Sequence, residues 1–172
     1  MQLILSDTPS RLEENSVLNV HNERAFSMFL TPLSDINFEH IDEFCRTWPE
    51  GVRVEYKQEL TQIPKVISSF ANTVGGIWVI GVETEETTHR PKLPIQGMDR
   101  KVEVEERITH ACWQGIYPPL TPMIKSVPLP SDPNRLVWVV KVPESIEAPH
   151  AIQNSTRVYI RVILYTALAE TF

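Results

Sequence analysis

The chain has 172 residues, 42% hydrophobic and 22% charged, with 14 Pro, 6 Gly and 2 Cys, which excludes a disordered tail, a coiled coil and a disulfide scaffold. A chain of this length buries enough surface to fold without metal or disulfide staples. The net charge of −6 is uneven, because residues 1–50 carry nine acids against three bases while the remainder has thirteen of each. Any basic surface must therefore come from sorting charges onto one face of the fold.

Residues 1–36 have no repeat and no sustained period, and they are read as an N-terminal arm in which NERAFSMFL forms a helical turn or two. The first residues lack a basic n-region, and no window approaches 18 uninterrupted apolar residues, so neither a signal peptide nor a membrane span is expected. A cytoplasmic protein follows, with Cys45 and Cys112 as reduced thiols. Residues 37–172 are read as one domain.

Its first helix is FEHIDEFCRTW, with Phe38, Ile41 and Phe44 or Cys45 on one stripe, and Pro49-Glu50-Gly51 ends it. The segment VRVEYK alternates strictly, Val52, Val54 and Tyr56 against Arg53, Glu55 and Lys57, which predicts a strand with one charged face. Ile63, Val66, Ile67, Phe70, Ala71 and Val74 then recur at helical spacing, Pro64 suits the first turn, and Gly75-Gly76 stops the helix. IWVIGV follows as a continuous apolar run, as in a central buried strand. After a polar loop, VEVEERITHACW predicts another helix, and PMIKSV, RLVWVVKV and TRVYIRVI predict three more strands. The order α, β, α, β, α, β, β, β predicts an α+β fold, with helices covering one face of a mixed β-sheet.

Several residue groups bear chemistry. Arg53, Glu55 and Lys57 project side by side, as do Arg157, Tyr159 and Arg161, so the two strands could form a basic rim around a carboxylate; cross-strand ion pairs on a solvated face are the alternative. Glu50 and Glu55, with Glu83 or Glu85 after the apolar strand, offer oxygen ligands for Mg²⁺ or Mn²⁺; scattered surface acids are the alternative. The Asn72-Thr73-Val74-Gly75-Gly76 corner could present backbone N–H groups to an anion, although the glycines follow a helix, where a C-cap is the local reading. Neither a Walker nor a Rossmann glycine pattern occurs. His110 and Cys112 could supply two metal ligands where structural zinc requires four, and His150 stands alone as a structural or surface group.

Taken together, Glu50-Gly-Val-Arg-Val-Glu55-Tyr-Lys57, the stretch PKVISSFANTVGGIWVIGV, APHAI and RVYIRV resemble the Schlafen AlbA-like domain family over about residues 45–165. Its members carry E-x4-E-x-K, a helix ending in a sequence like A-F-A-N-T-x-G-G, a strand ending in Gly-Val and a late YxR-like segment. The resemblance implies nucleic-acid binding. Bacterial members are described as ATP-binding or DNA-binding, and animal Schlafens use a related fold as an endoribonuclease cutting tRNA.

In those nucleases the two Glu of E-x4-E and an acid after the Gly-Val strand carry the chemistry. By this resemblance Glu50, Glu55 and Glu83 would hold Mg²⁺ or Mn²⁺. The family's third acid falls near Thr84, with Glu83 and Glu85 as its neighbours. Lys57 would act beside the metal and contact phosphate, with Arg53, Arg157, Tyr159 and Arg161 binding nucleic acid. Asn72, Gly75 and Gly76 would line a ligand site, with ATP as the candidate. The zinc pattern of the nucleases is only half present, so zinc is not expected. Animal Schlafens join two lobes in one chain, so a homodimer could restore their groove here. Because the chain stops soon after the YxR segment, a domain of a longer protein is expected. A regulatory module that binds ATP, DNA or a partner protein without cleaving is the alternative function.

Overall fold

A computed structural model describes residues 28–155 and 157–162. After a 3₁₀ turn at Leu33–Asp35, helix α1 spans Phe38–Thr47, strand β1 Val54–Lys57, helix α2 Ile63–Ala71 and strand β2 Gly76–Ile80. Then come β3 (Met98–Asp99), helix α3 (Val104–Gly115), β4 (Ile116–Tyr117), β5 (Met123–Leu129), β6 (Asp132–Val142) and β7 (Ala151–Ile152).

The main sheet is mixed. Strand β1 lies on the outer edge, parallel to β2, and β2 runs antiparallel to the C-terminal half of the long strand β6. Short β3 continues the β2 side of β6, while β5 pairs along its other side. A parallel β1–β2 pair requires a crossover, and α2 supplies it. Strands β4 and β7 form a separate two-stranded sheet.

Every residue of β2 is buried, and the register explains why. Trp78 and Ile80 face one hydrophobic cluster with Ile67 and Phe70 of α2 and Ile108 of α3. Ile77 and Val79 face a second with Ile41 and Phe44 of α1. Strand β6 splits in the same way, Trp138 and Val140 into the first cluster and Val137 and Val139 into the second. The expectation that helices cover one face is therefore corrected: α2 and α3 pack on one side and α1 on the other. A strand buried on both faces needs apolar residues at every position, as IWVI provides. Met28 and Ile36 are also buried in the second cluster, so residues 28–36, placed in the arm by sequence, belong to the packed domain.

Helix α1 begins with a capping box at Asn37, whose side chain accepts from the His40 amide while the His40 ring accepts from the Asn37 amide. Pro64 lies in the first turn of α2, where the lost N–H needs no intrahelical partner. The helix ends at Ala71, before the expected Val74, and the Gly75 amide closes the turn onto the Phe70 carbonyl with φ +66. Cys45 and Cys112 are free and buried, and burial pushes the Cys112 thiol up to about 12.

The sequence TRVYIRVI is not a strand among the described residues. Only Val158 makes an isolated bridge, to Ala151, and Val158, Ile160 and Val162 are exposed. Backbone hydrogen bonds to Asn72 and Thr73 and the Arg161 side chain dock this segment in place of a strand ladder.

Candidate nucleic-acid interface

Among the described residues strand β1 has a free edge, since its one ladder partner there is β2. Unpaired edge groups attract other chains unless something covers them. Here the covering groups come from the residues singled out by sequence. One Glu50 carboxylate oxygen accepts the Tyr56 amide at 3.1 Å, and the Gly51 amide donates to the Val54 carbonyl at 2.9 Å. Arg161 Nη2 donates to the same Val54 carbonyl at 3.2 Å and to the Gly51 carbonyl at 2.8 Å.

The charged side chains then form a chain along the edge. Lys57 Nζ lies 2.6 Å from Glu55 Oε1 and 3.4 Å from Glu50 Oε1. The other oxygen of Glu55 accepts from Arg161 Nη2 at 2.6 Å, and the guanidinium stacks over the Phe70 ring with Cζ 4.2 Å from its centroid. Burial alone would raise the Glu55 pKa, but hydrogen bonds and charge from Lys57 and Arg161 outweigh it and hold the carboxyl below its ordinary range. For Lys57 burial opposes the charge, and Glu55 and Glu50 overcome it, holding its pKa above the ordinary value. Glu50, Glu55, Lys57 and Arg161 are thus brought together.

Sequence reasoning missed two neighbours. The Glu50 amide donates to the His89 carbonyl, and His89 Nδ1 stands 3.6 Å from Glu50 Oε2. His89 has φ +54 in a polar loop, so no periodic signal marks it. Lys65 on α2 places its ammonium over the Tyr159 ring, 5.5 Å from the centroid; in sequence it is one polar position of an amphipathic helix.

Glu83 makes a separate ion pair. It is half exposed and pairs with Lys92 at 2.6 Å, while Glu85 accepts from Thr88 Oγ1. Among the described residues no group of three or more His, Cys, Asp or Glu could hold a metal ion. The expected triad of Glu50, Glu55 and Glu83 is therefore not assembled, and the Lys57 ammonium sits between the first two carboxylates. Cys112 is buried while His110 on the same helix is exposed, so that pair does not converge.

Asn72 and Thr73 bind the chain's own late segments. The Asn72 amide nitrogen donates to the carbonyls of His150 and Tyr159, and its oxygen accepts the His150 amide at 2.6 Å. Thr73 Oγ1 accepts the Arg161 amide at 2.9 Å. His150 is fully buried with both ring nitrogens partnered, Nδ1 to the Pro118 carbonyl and Nε2 to Ser145 Oγ, each at 2.7 Å. A carbonyl only accepts, so Nδ1 carries a proton and donates to Pro118. The FANT, APHAI and YIR segments are thereby one hydrogen-bonded unit, and it is this unit that delivers Arg161 to β1. Arg53 is exposed and lies over the Phe29 ring, apart from this chain of contacts. Arg157 is exposed, two residues before Tyr159.

A mixed-sheet α+β domain whose edge strand is closed by a carboxylate–cation cluster is the class defined by this geometry. The family model described as Schlafen, AlbA_2 matches residues 50–166, and the chain belongs to that family. The matched span runs from the first glutamate of the cluster to just past its arginine. Among solved structures, the solution NMR structure of the N-terminal domain of a putative ATP-dependent DNA helicase RecG-related protein from Nitrosomonas europaea aligns with a TM-score of 0.55 at 17% identity, covering 76% of this chain and 90% of that one. That likeness shows the shared fold. No curated protein matches the chain, and no helix among the described residues is long and apolar enough to cross a membrane.

Proposed function

We propose that this domain binds nucleic acid, with the sugar–phosphate backbone lying across the docked late segment and the N-terminal half of α2. The observation that carries the reading is the placement of Lys65 over Tyr159, two residues from Arg161 and the Glu55–Lys57 pair. Lys65 and Arg157 are exposed and free to meet phosphates, and Tyr159 offers a partly exposed ring for a base. Arg161 is occupied by Glu55 and two backbone carbonyls, so its part is to position this segment. Membership of the Schlafen AlbA_2 family and the fold shared with a RecG-related domain support the reading.

Fluorescence anisotropy with labelled single-stranded RNA and DNA tests it. Affinity is expected to fall steeply with salt; Lys65→Glu and Arg157→Glu should each weaken binding about tenfold and flatten the salt slope by about one. Unchanged affinity in the double variant would remove the assigned face.

Cleavage of RNA with Mg²⁺ or Mn²⁺ is the finer reading implied by the family resemblance. Glu50 and Glu55 would supply two of its oxygen donors, but among the described residues no third carboxylate joins them, and no step is derived through such a site. Incubation of labelled tRNA with Mn²⁺ is therefore expected to give binding without cutting; metal-dependent cutting would establish the nuclease instead. The ATP alternative rests on Asn72, Gly75 and Gly76. Asn72 is taken up by His150 and Tyr159, whereas Gly75 and Gly76 line a depression of about 210 Å³ together with Arg53 and Lys141. Equilibrium ATP binding tests this alternative, and a Kd weaker than millimolar would remove it.

A further inference from the structure

A second surface shares no residue with the nucleic-acid face. Trp113, near the end of α3, is 61% exposed and separates two depressions. One, of about 370 Å³, lies between Leu120, the end of β6 and the loop carrying Ile146, whose side chain is fully exposed. The other runs along the outside of α3 past Glu105 and Glu106. Exposed large apolar groups this close together mark an interaction surface.

The charges around them are of one sign. Glu144 and Glu147 line the first depression and Glu105 and Glu106 the second, with neither Lys nor Arg in either lining. None of the four makes an ion pair with another described residue. Such a rim repels a phosphate backbone and attracts a cationic chain. The apolar floor calls for anchoring side chains of the Leu, Met or Phe type.

We infer that this groove docks a basic amphipathic segment of another protein, its apolar residues against Trp113, Leu120 and Ile146 and its Lys or Arg residues against the glutamate rim. The domain would then hold nucleic acid on one face and a protein on another.

The test uses the whole chain and three labelled 18-residue peptides: an amphipathic Leu/Lys helix, its Leu/Glu counterpart and a Lys/Ser peptide of equal charge. Anisotropy should show binding of the Leu/Lys peptide alone. Trp113→Ala and Ile146→Ser should each weaken it at least fivefold, and Glu144→Lys with Glu147→Lys at least tenfold. Circular dichroism should be unchanged because these side chains are exposed, and RNA affinity should not fall in the apolar variants. Equal binding by the Lys/Ser peptide would reduce the effect to bulk charge and overturn the proposal. So would full affinity in both apolar variants. A concentration-dependent dimer in sedimentation that Trp113→Ala abolishes would overturn it in favour of a second copy as the occupant.

Discussion

Glu55→Ala is expected to destabilise the domain by about 2–4 kcal/mol, because it removes the shared acceptor of two cations in a poorly solvated site. For a chain of this size the midpoint of thermal unfolding should fall by about 5–15 °C. Glu55 and Arg161 side chains are each only 14% exposed, so surface ion-pair values do not apply. Without the carboxylate, Arg161 keeps its carbonyl contacts but loses its counter-charge, and Lys57 retains only the longer contact to Glu50. Glu55→Gln keeps the shape and one acceptor, and should lose about half as much.

The same pair sets an acid limit. The folded Glu55 pKa lies below the ordinary value of 4.5, so the folded state binds its proton less readily than the unfolded chain does. Its contribution is complete above the unfolded pKa and is lost as pH falls through the folded one. Urea midpoints of the parent should therefore decline below about pH 4.5 more steeply than those of Glu55→Gln. Parallel declines would show that Glu55 is not the group responsible. Lys57 behaves oppositely: its raised pKa keeps its contribution intact below the ordinary 10.5 and loses it as pH rises through the folded value.

These effects bear on any attempt to read function from the glutamates. Glu50→Ala leaves the Tyr56 amide at the β1 edge without its acceptor, a loss of about 1–3 kcal/mol for a buried donor. A drop in binding or cutting in Glu50→Ala or Glu55→Ala therefore mixes chemistry with unfolding unless folded fractions are matched. The exposed cations Lys65 and Arg157 escape this problem and are the cleaner probes.

How much of this was legible in the sequence depended on whether a pattern had one structural meaning. Five apolar residues from Ile63 to Ala71 at helical spacing could only bury one face of a helix, and all five are buried. Alternation in VRVEYK likewise fixed Glu55 and Lys57 on one side of β1. In RVYIRV the same alternation predicted a strand that the described residues do not form, because a period of two says which residues share a face and not whether a ladder partner is present. There the inward face is the polar one, held by Asn72, Thr73 and Glu55. Strands β3, β4 and β7 are two residues each, too short to carry a period. The placement of α1 opposite α2 and α3 follows from topology, which local patterns do not encode. In the site, the meeting of Glu50, Glu55, Lys57 and Arg161 was available from the family resemblance. Glu83 was misplaced because nearness to the end of β2 in sequence did not guarantee nearness in space: its carboxylate turns to Lys92.

Gly75→Ala is expected to be at least as damaging, by about 3–5 kcal/mol, through two separate terms. The residue sits at φ +66, where a Cβ is strained, at about 1 kcal/mol or more. The added carbon would also stand 2.7 Å from both the Glu144 nitrogen and the Val142 oxygen, and 3.0 Å from the Pro143 carbonyl carbon. All three are backbone atoms at the end of β6, so no rotamer change relieves the contact and either the strand or the turn must move. Gly51→Ala is the matched control, because an added methyl there meets nothing within 4 Å and its φ is not in the left-handed region; it should change stability by less than about 0.5 kcal/mol. The damage should also spread in a defined direction. The turn at Gly75 follows directly on Asn72 and Thr73, which hold Tyr159 and Arg161. Hydrogen exchange at the Arg161 amide, whose acceptor is Thr73, should therefore accelerate in Gly75→Ala by more than the change in global stability explains. If it tracks global unfolding alone, the turn and the late segment are not mechanically linked. If it exceeds it, the helix end that the family motif marks is the element that holds the late segment and Arg161 in place.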